Sequence, residues 1–76
     1  MISVEQIRAA RAWLNISQQE LADASNVEVR TIYRIESGFR GATERTLEKI
    51  RKAFELRGLE FIFEGPNPVG LRLRRV

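Results

Sequence analysis

The spacing of the apolar residues changes once along this chain, at Gly58. Before Gly58, apolar side chains recur every three or four residues, which is the period of helices with one buried face. After Gly58, apolar and polar residues alternate, which is the period of a strand. The sequence therefore predicts a mainly α fold, with a helical domain over residues 1–58 and a C-terminal β-hairpin over residues 59–76.

Start and stop signals divide the first segment into four helices. Ser3 and Ser17 each begin a capping box, in which the serine oxygen accepts from the third helical amide and a longer side chain reaches back to the cap. Thr43 is the expected cap of the fourth helix, and Gly58 is its expected stop. The predicted helices cover about residues 4–14, 18–24, 28–37 and 44–57.

The second and third helices are separated by Ser25-Asn26-Val27. Asparagine is one of the few residues that tolerate a positive φ, so a tight turn is expected here. Two short helices joined by such a turn, with Gly38 ending the second, have the geometry of a helix-turn-helix, whose second helix enters the DNA major groove. Many small helical domains contain a similar corner, so this pattern alone leaves DNA binding open.

The C-terminal segment predicts two strands on either side of a turn at residues 65–68. Registers that pair residues of equal parity bring the apolar faces together and place Glu60 near Arg72 or Arg74. An isolated two-stranded hairpin is marginal in water, so the apolar face either covers the helices or joins that of a second chain. Arg72, Arg74 and Arg75 either contact phosphates or keep an exposed strand soluble. The apolar face contains Leu59, Phe61, Phe63, Val69, Leu71 and Leu73.

Composition limits the chemistry that these 76 residues can perform. The chain contains no cysteine and no histidine, so it lacks the thiolate ligands and nucleophiles, the commonest general base and the commonest zinc ligand. We therefore expect no enzyme activity, no metal and no cofactor. The net charge of +3 permits a polyanionic partner. No apolar run is long enough to span a bilayer and no signal peptide is evident, so we expect a cytoplasmic protein without a membrane partner.

Several short motifs, in order and at matching spacing, carry a resemblance to a known family: Ile16-Ser17-Gln18-Gln19-Glu20-Leu21-Ala22, Val27, Thr31-Ile32 and Ile35-Glu36-Ser37-Gly38, with Ile7 and Arg11 before them and Thr46-Leu47 and Ile50 after them. Together they closely resemble the Cro/cI-type helix-turn-helix family of bacterial and phage regulators, also called the xenobiotic-response-element family. The resemblance covers residues 3 to about 57. It implies a four-helix, lambda-repressor-like domain that binds double-stranded DNA and regulates transcription, most often as a repressor.

The resemblance also implies roles for individual residues. Gln18, Arg40 and Thr43 match positions that contact the DNA backbone, and Gln18 is further expected to brace the third helix. Arg11 and Glu36 match a structural ion pair between the first and third helices. The positions that touch base edges are matched by Val29, Arg30, Tyr33 and Arg34.

Side-chain chemistry supports the two arginines of the third helix most strongly. Arg30 and Arg34 lie four residues apart on one helical face, and an arginine can donate two hydrogen bonds to guanine. The alternative is a solvated charged face. Val29 either contacts a thymine methyl or is simply exposed, Tyr33 either bonds a phosphate or lies on the protein, and Arg40 is either a phosphate ligand or an idle surface residue. Glu28 stands where the family usually has serine or threonine, and it either caps the third helix weakly or accepts a hydrogen bond from cytosine.

A single recognition helix contacts only a few base pairs, so a homodimer that reads two half-sites about one helical turn apart is expected. The hairpin is the expected dimerising element, with Phe61, Phe63, Leu71 and Leu73 at the interface. Trp13 is either core or interface. The alternative function is an antitoxin or protein-interaction module, whose hairpin binds a protein partner while the helix-turn-helix regulates its own operon.

Overall fold

The computed structural model describes residues 1–74, which form four helices followed by a two-stranded antiparallel sheet. The helices are α1 (Val4–Leu14), α2 (Gln18–Ser25), α3 (Val29–Glu36) and α4 (Glu44–Glu55), and the strands are β1 (Leu59–Glu64) and β2 (Asn67–Leu73). The predicted fold class is confirmed. Arg75, a candidate phosphate contact, and the last residue of the predicted hairpin segment lie outside the described residues.

Three of the helices begin at side-chain caps. The Ser3 hydroxyl accepts from the Gln6 amide at 3.0 Å, while the Gln6 side chain accepts from the Ser3 amide at 3.0 Å. Ser17 and Glu20 form the same pair of bonds, at 3.0 and 2.9 Å. The Thr43 hydroxyl accepts from the third amide of α4 at 3.1 Å. The caps predicted at these positions are therefore confirmed.

The turn before α2 and the turn before α3 each contain an asparagine in the left-handed region. Asn26 has a φ of 57°, as its place in the predicted tight turn requires. Asn15, at the end of α1, has a φ of 54°, which the sequence did not single out. Glu28 makes no side-chain cap bond to α3, in agreement with its expected weakness. The path between α1 and α3 therefore depends on two asparagines that tolerate this backbone conformation.

The helices and the hairpin share one hydrophobic core. The rings of Phe54 in α4 and Phe61 in β1 are buried, with centroids 5.8 Å apart and planes inclined by 55°. The boundary at residue 58 thus marks a change of secondary structure and not a break in the core. Within residues 1–74, no helix has the length and apolar character needed to cross a bilayer. The buried side chains that fill the core include Ile7, Leu21, Ile32, Ile35, Ile50 and Leu59.

The hairpin departs from the predicted register at one point. Phe61 lies opposite Leu71, and Glu60 lies opposite Arg72. The guanidinium of Arg72 donates to the Glu60 carboxylate at 3.2 Å, as equal parity predicts. The register then shifts, because Val69 is an extra residue without a partner on β1.

The predicted four-residue turn and the predicted start of the second strand are therefore wrong. Because the extra residue lies within β2, Asn67 and Pro68 pair with β1, and only Gly65 and Pro66 remain in the turn. Gly65 has a φ of 60°, which suits a turn this short.

Gln6 connects the N-terminal part of α1 to the hairpin. Its side-chain nitrogen donates to the carbonyl of Ile62 at 3.2 Å and to the carbonyl of Gly70 at 2.9 Å. The residue is buried, and every polar atom of its side chain has a partner. A single amide group therefore satisfies the cap of α1 and fixes the position of both strands against it.

Candidate DNA interface

The outer face of α3 is exposed and contains all four residues expected to contact bases. Val29 and Tyr33 are 38% and 61% exposed, and Arg30 and Arg34 are exposed as well. The opposite face is buried through Ile32 and Ile35. Within residues 1–74, neither Arg30 nor Arg34 forms an ion pair. Their guanidinium groups are therefore available to an external acceptor.

A buried ion pair holds the C-terminal end of α3. The guanidinium of Arg11 donates to both carboxylate oxygens of Glu36, at 2.7 and 2.8 Å. Glu36 is only 7% exposed, so its carboxylate depends on these partners. Arg11 also donates to the carbonyl of Ile16 at 2.9 Å, in the loop before α2. The expected pair is present, and it joins α1, this loop and α3.

Two further side chains reach Glu36. The side-chain amide of Gln18, the first residue of α2, donates to the Glu36 carboxylate at 3.3 Å. Arg8 donates to the Glu36 backbone carbonyl at 3.3 Å. The bond from Gln18 is the contact expected of a residue that braces α3. The role of Arg8 was missed, although its position one turn before Arg11 was a signal that both could face the same helix.

The surroundings of Glu36 keep its side chain ionised. Burial raises the pKa of the Glu36 carboxyl. Hydrogen bonds from Arg11 and Gln18 and the positive charges of Arg11 and Arg8 lower this pKa by a larger amount, so that it lies below the ordinary value of 4.5. The hydrogen bond to Glu36 likewise raises the pKa of Arg11 above its ordinary value. The pair therefore remains charged at neutral pH, and α3 is held by a charge-assisted contact.

The loop between α3 and α4 exposes Arg40 and begins with a left-handed glycine. Gly38 has a φ of 100°, and the amide of Phe39 donates to the carbonyl of Arg34 at 3.0 Å. The ring of Phe39 lies over Gly41 so closely that a Cβ at Gly41 would collide with it. This contact sets the course of the chain on either side of Arg40, between the end of α3 and the start of α4.

The residues expected to contact the DNA backbone flank the C-terminal end of α3. Gln18 is attached there through Glu36, and Arg40 is exposed in the loop that follows. Thr43 is exposed at the start of α4, where its hydroxyl is occupied by the cap. A phosphate at this end of α4 would meet backbone amides that helices leave free.

The open end of the hairpin, beside Gly58, lies at the other end of α4 from Thr43. The 12 residues of α4 extend about 18 Å, and three residues separate the end of the helix from the start of β1. Arg72 is bound to Glu60, and the amide of Arg74 donates to the Gly58 carbonyl at 2.6 Å, beside the C-terminal end of α4. Arg72 and Arg74 therefore lie away from Thr43 and the start of α4.

The four residues expected at a dimer interface differ in their accessibility. Phe61 is 6% exposed and belongs to the core of its own chain, so its ring is not offered to a second copy. Phe63 is half-buried beneath the guanidinium of Arg51, 5.7 Å from the ring centroid. Leu71 is half-buried, and Leu73 is 47% exposed. The first strand thus covers α4, which is the intramolecular alternative, while the second strand remains accessible.

The fold and this surface define the class of the protein. Two short helices are joined by a tight turn, and the second helix is held on its buried side and exposed on the other. This arrangement is a helix-turn-helix for DNA. Comparison with known protein families matches residues 7–61 to the helix-turn-helix family of the Cro/cI type. The match includes all of α2, α3 and α4, and the chain belongs to this family. It is a DNA-binding transcriptional regulator, and its family is not a class of enzymes. No curated protein matches the chain.

Proposed function

We propose that the protein binds an operator as a homodimer, with α3 of each copy in the major groove, and represses transcription by occupying that operator. The observation that carries this proposal is the exposed face of α3, where Arg30 and Arg34 are free of ion pairs within the described chain and the helix is anchored by the buried Glu36. A rigid helix with free arginines is suited to hold donors at fixed positions in the groove.

The spacing of the two arginines defines what a half-site should contain. Residues four apart on a helix differ by about 6 Å along its axis, close to two base-pair steps of about 3.4 Å each. Arginine binds guanine through two hydrogen bonds, and each such contact discriminates by about 1–3 kcal/mol. Arg30 and Arg34 are therefore assigned to two guanines about two positions apart, with Val29 and Tyr33 contacting the bases or sugars beside them.

The size of one copy supports the dimer. An α3 of eight residues reads only a few base pairs, so a second half-site is needed to raise specificity. Half-sites bound by helix-turn-helix dimers have their centres about 34–36 Å apart. The Cα atoms of one copy extend over 31 × 25 × 19 Å, so two copies side by side span this distance.

The proposal is tested by selecting binding sites from random duplex DNA with the purified protein. We expect an inverted repeat with half-site centres about one helical turn apart. The selected site and a scrambled duplex are then titrated at several salt concentrations with wild type, Arg34→Ala and Arg57→Ala. Arg57 is exposed at the end of α4, so its loss is a control for the change in net charge.

Arg34→Ala should lose the preference for the selected site and retain salt-dependent binding to scrambled DNA, whereas Arg57→Ala should retain both. No enriched motif would contradict operator recognition, and a single half-site bound by one copy would contradict the dimer. Repression itself is measured with a reporter promoter that contains the selected site, where wild type should lower expression and Arg34→Ala should not.

A further inference from the structure

Glu28 stands at the start of α3 with a carboxylate that has no partner in the described part of the chain. Its backbone carbonyl accepts from the amides of Thr31 and Ile32, at 2.9 and 3.1 Å. Its side chain, in contrast, is exposed, makes no cap bond to α3 and forms no ion pair within residues 1–74. The helix thus fixes the backbone of Glu28 and leaves the carboxylate available to an external donor.

The other three helices begin at residues whose side chains form the cap. Ser3, Ser17 and Thr43 each accept a hydrogen bond from the third amide of their helix. Such a bond stabilises a helix, and Glu28 does not provide it. The alternative role of Glu28 is that of a negative charge at the positive end of the helix dipole.

Glu28 lines a depression between α2 and α3. The depression has a volume of about 360 Å³, and its walls include Gln19 and Asp23 from α2 and Val29 from α3. The Asp23 carboxylate accepts from the side-chain nitrogen of Gln19 at 3.0 Å, so it has a donor in its own helix. Glu28 has no such donor, and it is the neighbour of Val29, which is proposed to contact the bases.

The chemistry of the major groove limits what a carboxylate can bind there, because a carboxylate only accepts hydrogen bonds. Guanine presents two acceptors, and thymine presents an acceptor and a methyl group. Adenine presents a donor beside an acceptor, which repels one of the carboxylate oxygens. Cytosine presents its N4 amino group, a donor, and is therefore the base that suits Glu28.

We propose that Glu28 selects a cytosine in each half-site by accepting a hydrogen bond from its N4 amino group. This inference rests on the proposed operator binding and adds one base pair to the half-site. Two residues of a helix advance about 3 Å along its axis, close to one base-pair step of about 3.4 Å. The cytosine therefore lies about one step from the guanine assigned to Arg30, on the side away from the guanine of Arg34.

The same carboxylate penalises sites that lack the cytosine. Where the base pair offers no suitable donor, the side chain of Glu28 loses water without gaining a partner and stays close to negatively charged phosphates. The residue therefore lowers affinity for most sequences and raises the difference between the operator and other DNA.

The proposal is tested by selecting sites from random duplex DNA with wild type, Glu28→Gln and Glu28→Ala. Wild type should select a C·G pair at one position of each half-site, about one step from the guanine assigned to Arg30. Glu28→Gln should favour adenine there, because a glutamine amide binds its N6 and N7, and Glu28→Ala should show no preference. The guanines assigned to Arg30 and Arg34 should be selected by all three proteins.

Asp23→Asn is the matched control, because it removes one negative charge from the same depression. Each protein is titrated with the selected site and with a site in which the C·G pair is replaced by T·A. Wild type and Asp23→Asn should bind the selected site about tenfold more tightly than the altered site, whereas Glu28→Ala should differ by less than about twofold. Equal discrimination by wild type and Glu28→Ala would overturn the contact with cytosine.

The penalty is tested with a scrambled duplex at several salt concentrations. Both Glu28 variants should bind it more tightly than wild type at low salt, and the gain should shrink as salt screens the repulsion. No gain at low salt would overturn the penalty. Thermal melting should show both variants folded, because the side chain of Glu28 is exposed and makes no cap bond.

The two levels of the proposal fail in different ways. A motif that wild type shares with both Glu28 variants would overturn the role of Glu28 in selection, leave it only its interaction with the helix dipole, and keep operator binding intact. Failure of wild type to select any motif would instead overturn the proposed function.

Discussion

Arg11 and Glu36 join α1 to the last turn of α3 through two parallel hydrogen bonds of 2.7 and 2.8 Å, which hold α3 from its buried side. Gln18 and Arg8 add a third and a fourth bond to the same residue. The groups that orient α3 are thus separate from those that face outward, so mutation can alter the stability of the protein and the exposed face of α3 independently.

The first prediction concerns the ion pair between Arg11 and Glu36, in which the carboxylate is the more deeply buried partner. Arg11→Met should lower the free energy of unfolding by about 3 kcal/mol, because it leaves the carboxylate of Glu36 buried without its main partner. The double variant Arg11→Met/Glu36→Met should be more stable than Arg11→Met alone, since it removes the stranded charge. Urea unfolding of wild type, both single variants and the double variant measures the coupling. Equal stabilities for wild type and Arg11→Met would contradict the buried pair.

The second prediction is a pH dependence of stability that comes from Glu36. Its pKa is lowered in the folded protein, so its contribution is complete above the unfolded value near 4.5 and is lost as the pH falls through the folded value. Wild type should therefore lose stability below about pH 4.5 more steeply than Glu36→Gln. Denaturant unfolding at a series of pH values compares the two slopes. Parallel curves would show that the titration of Glu36 is not coupled to folding.

The third prediction concerns the tight turn between α2 and α3. Asn26→Ala should destabilise the protein by about 1 kcal/mol, because alanine is strained in the left-handed conformation that asparagine tolerates. This corresponds to a fall in melting temperature of about 4–8 °C for a domain of this size. Asn26→Gly, which has no Cβ, is the matched control and should stay close to wild type. The same loss in both variants would point to the asparagine side chain instead of the backbone.

The fourth prediction concerns the contact of Phe39 with Gly41. Gly41→Ala should displace the ring and disturb the loop around Arg40, which lowers DNA affinity about equally on selected and scrambled duplexes. Its melting temperature should stay near that of wild type, because Phe39 is 52% exposed. Phe39→Ala/Gly41→Ala should bind better than Gly41→Ala, since removing the ring makes room for the added methyl group. Additive losses in the double variant would argue against the contact.

Much of the fold follows from local signals in the sequence. Ser3, Ser17 and Thr43 mark helix starts because a cap depends on residues only three positions apart. The change of period at Gly58 likewise separates helices from strands, because each period depends on residues that are close together in the sequence. Asn15 was missed because its left-handed conformation follows a helix end that has no glycine, although asparagine is the usual substitute.

Other features depend on contacts between distant parts of the chain. Alternation alone could not reveal the unpaired Val69, because an extra residue becomes visible only when both strands are in register. The accessibility of the predicted interface residues depended on the docking of the hairpin, which buries Phe61 and leaves Leu73 half-exposed. The expected positions of Arg30 and Arg34 followed from helical spacing, but their freedom from ion pairs depended on where every nearby acidic side chain lies.

During synthesis of the chain, Gln6 is made before the two residues that accept its hydrogen bonds. Its two acceptors lie 56 and 64 residues further along, so at a rate of about 5–20 residues per second they are made about 3–13 s after it. Helices and short loops form far faster than this. During these seconds the side-chain nitrogen of Gln6 lacks both of its acceptors in the hairpin. The residues that complete the packing of α1 are thus made several seconds after α1 itself.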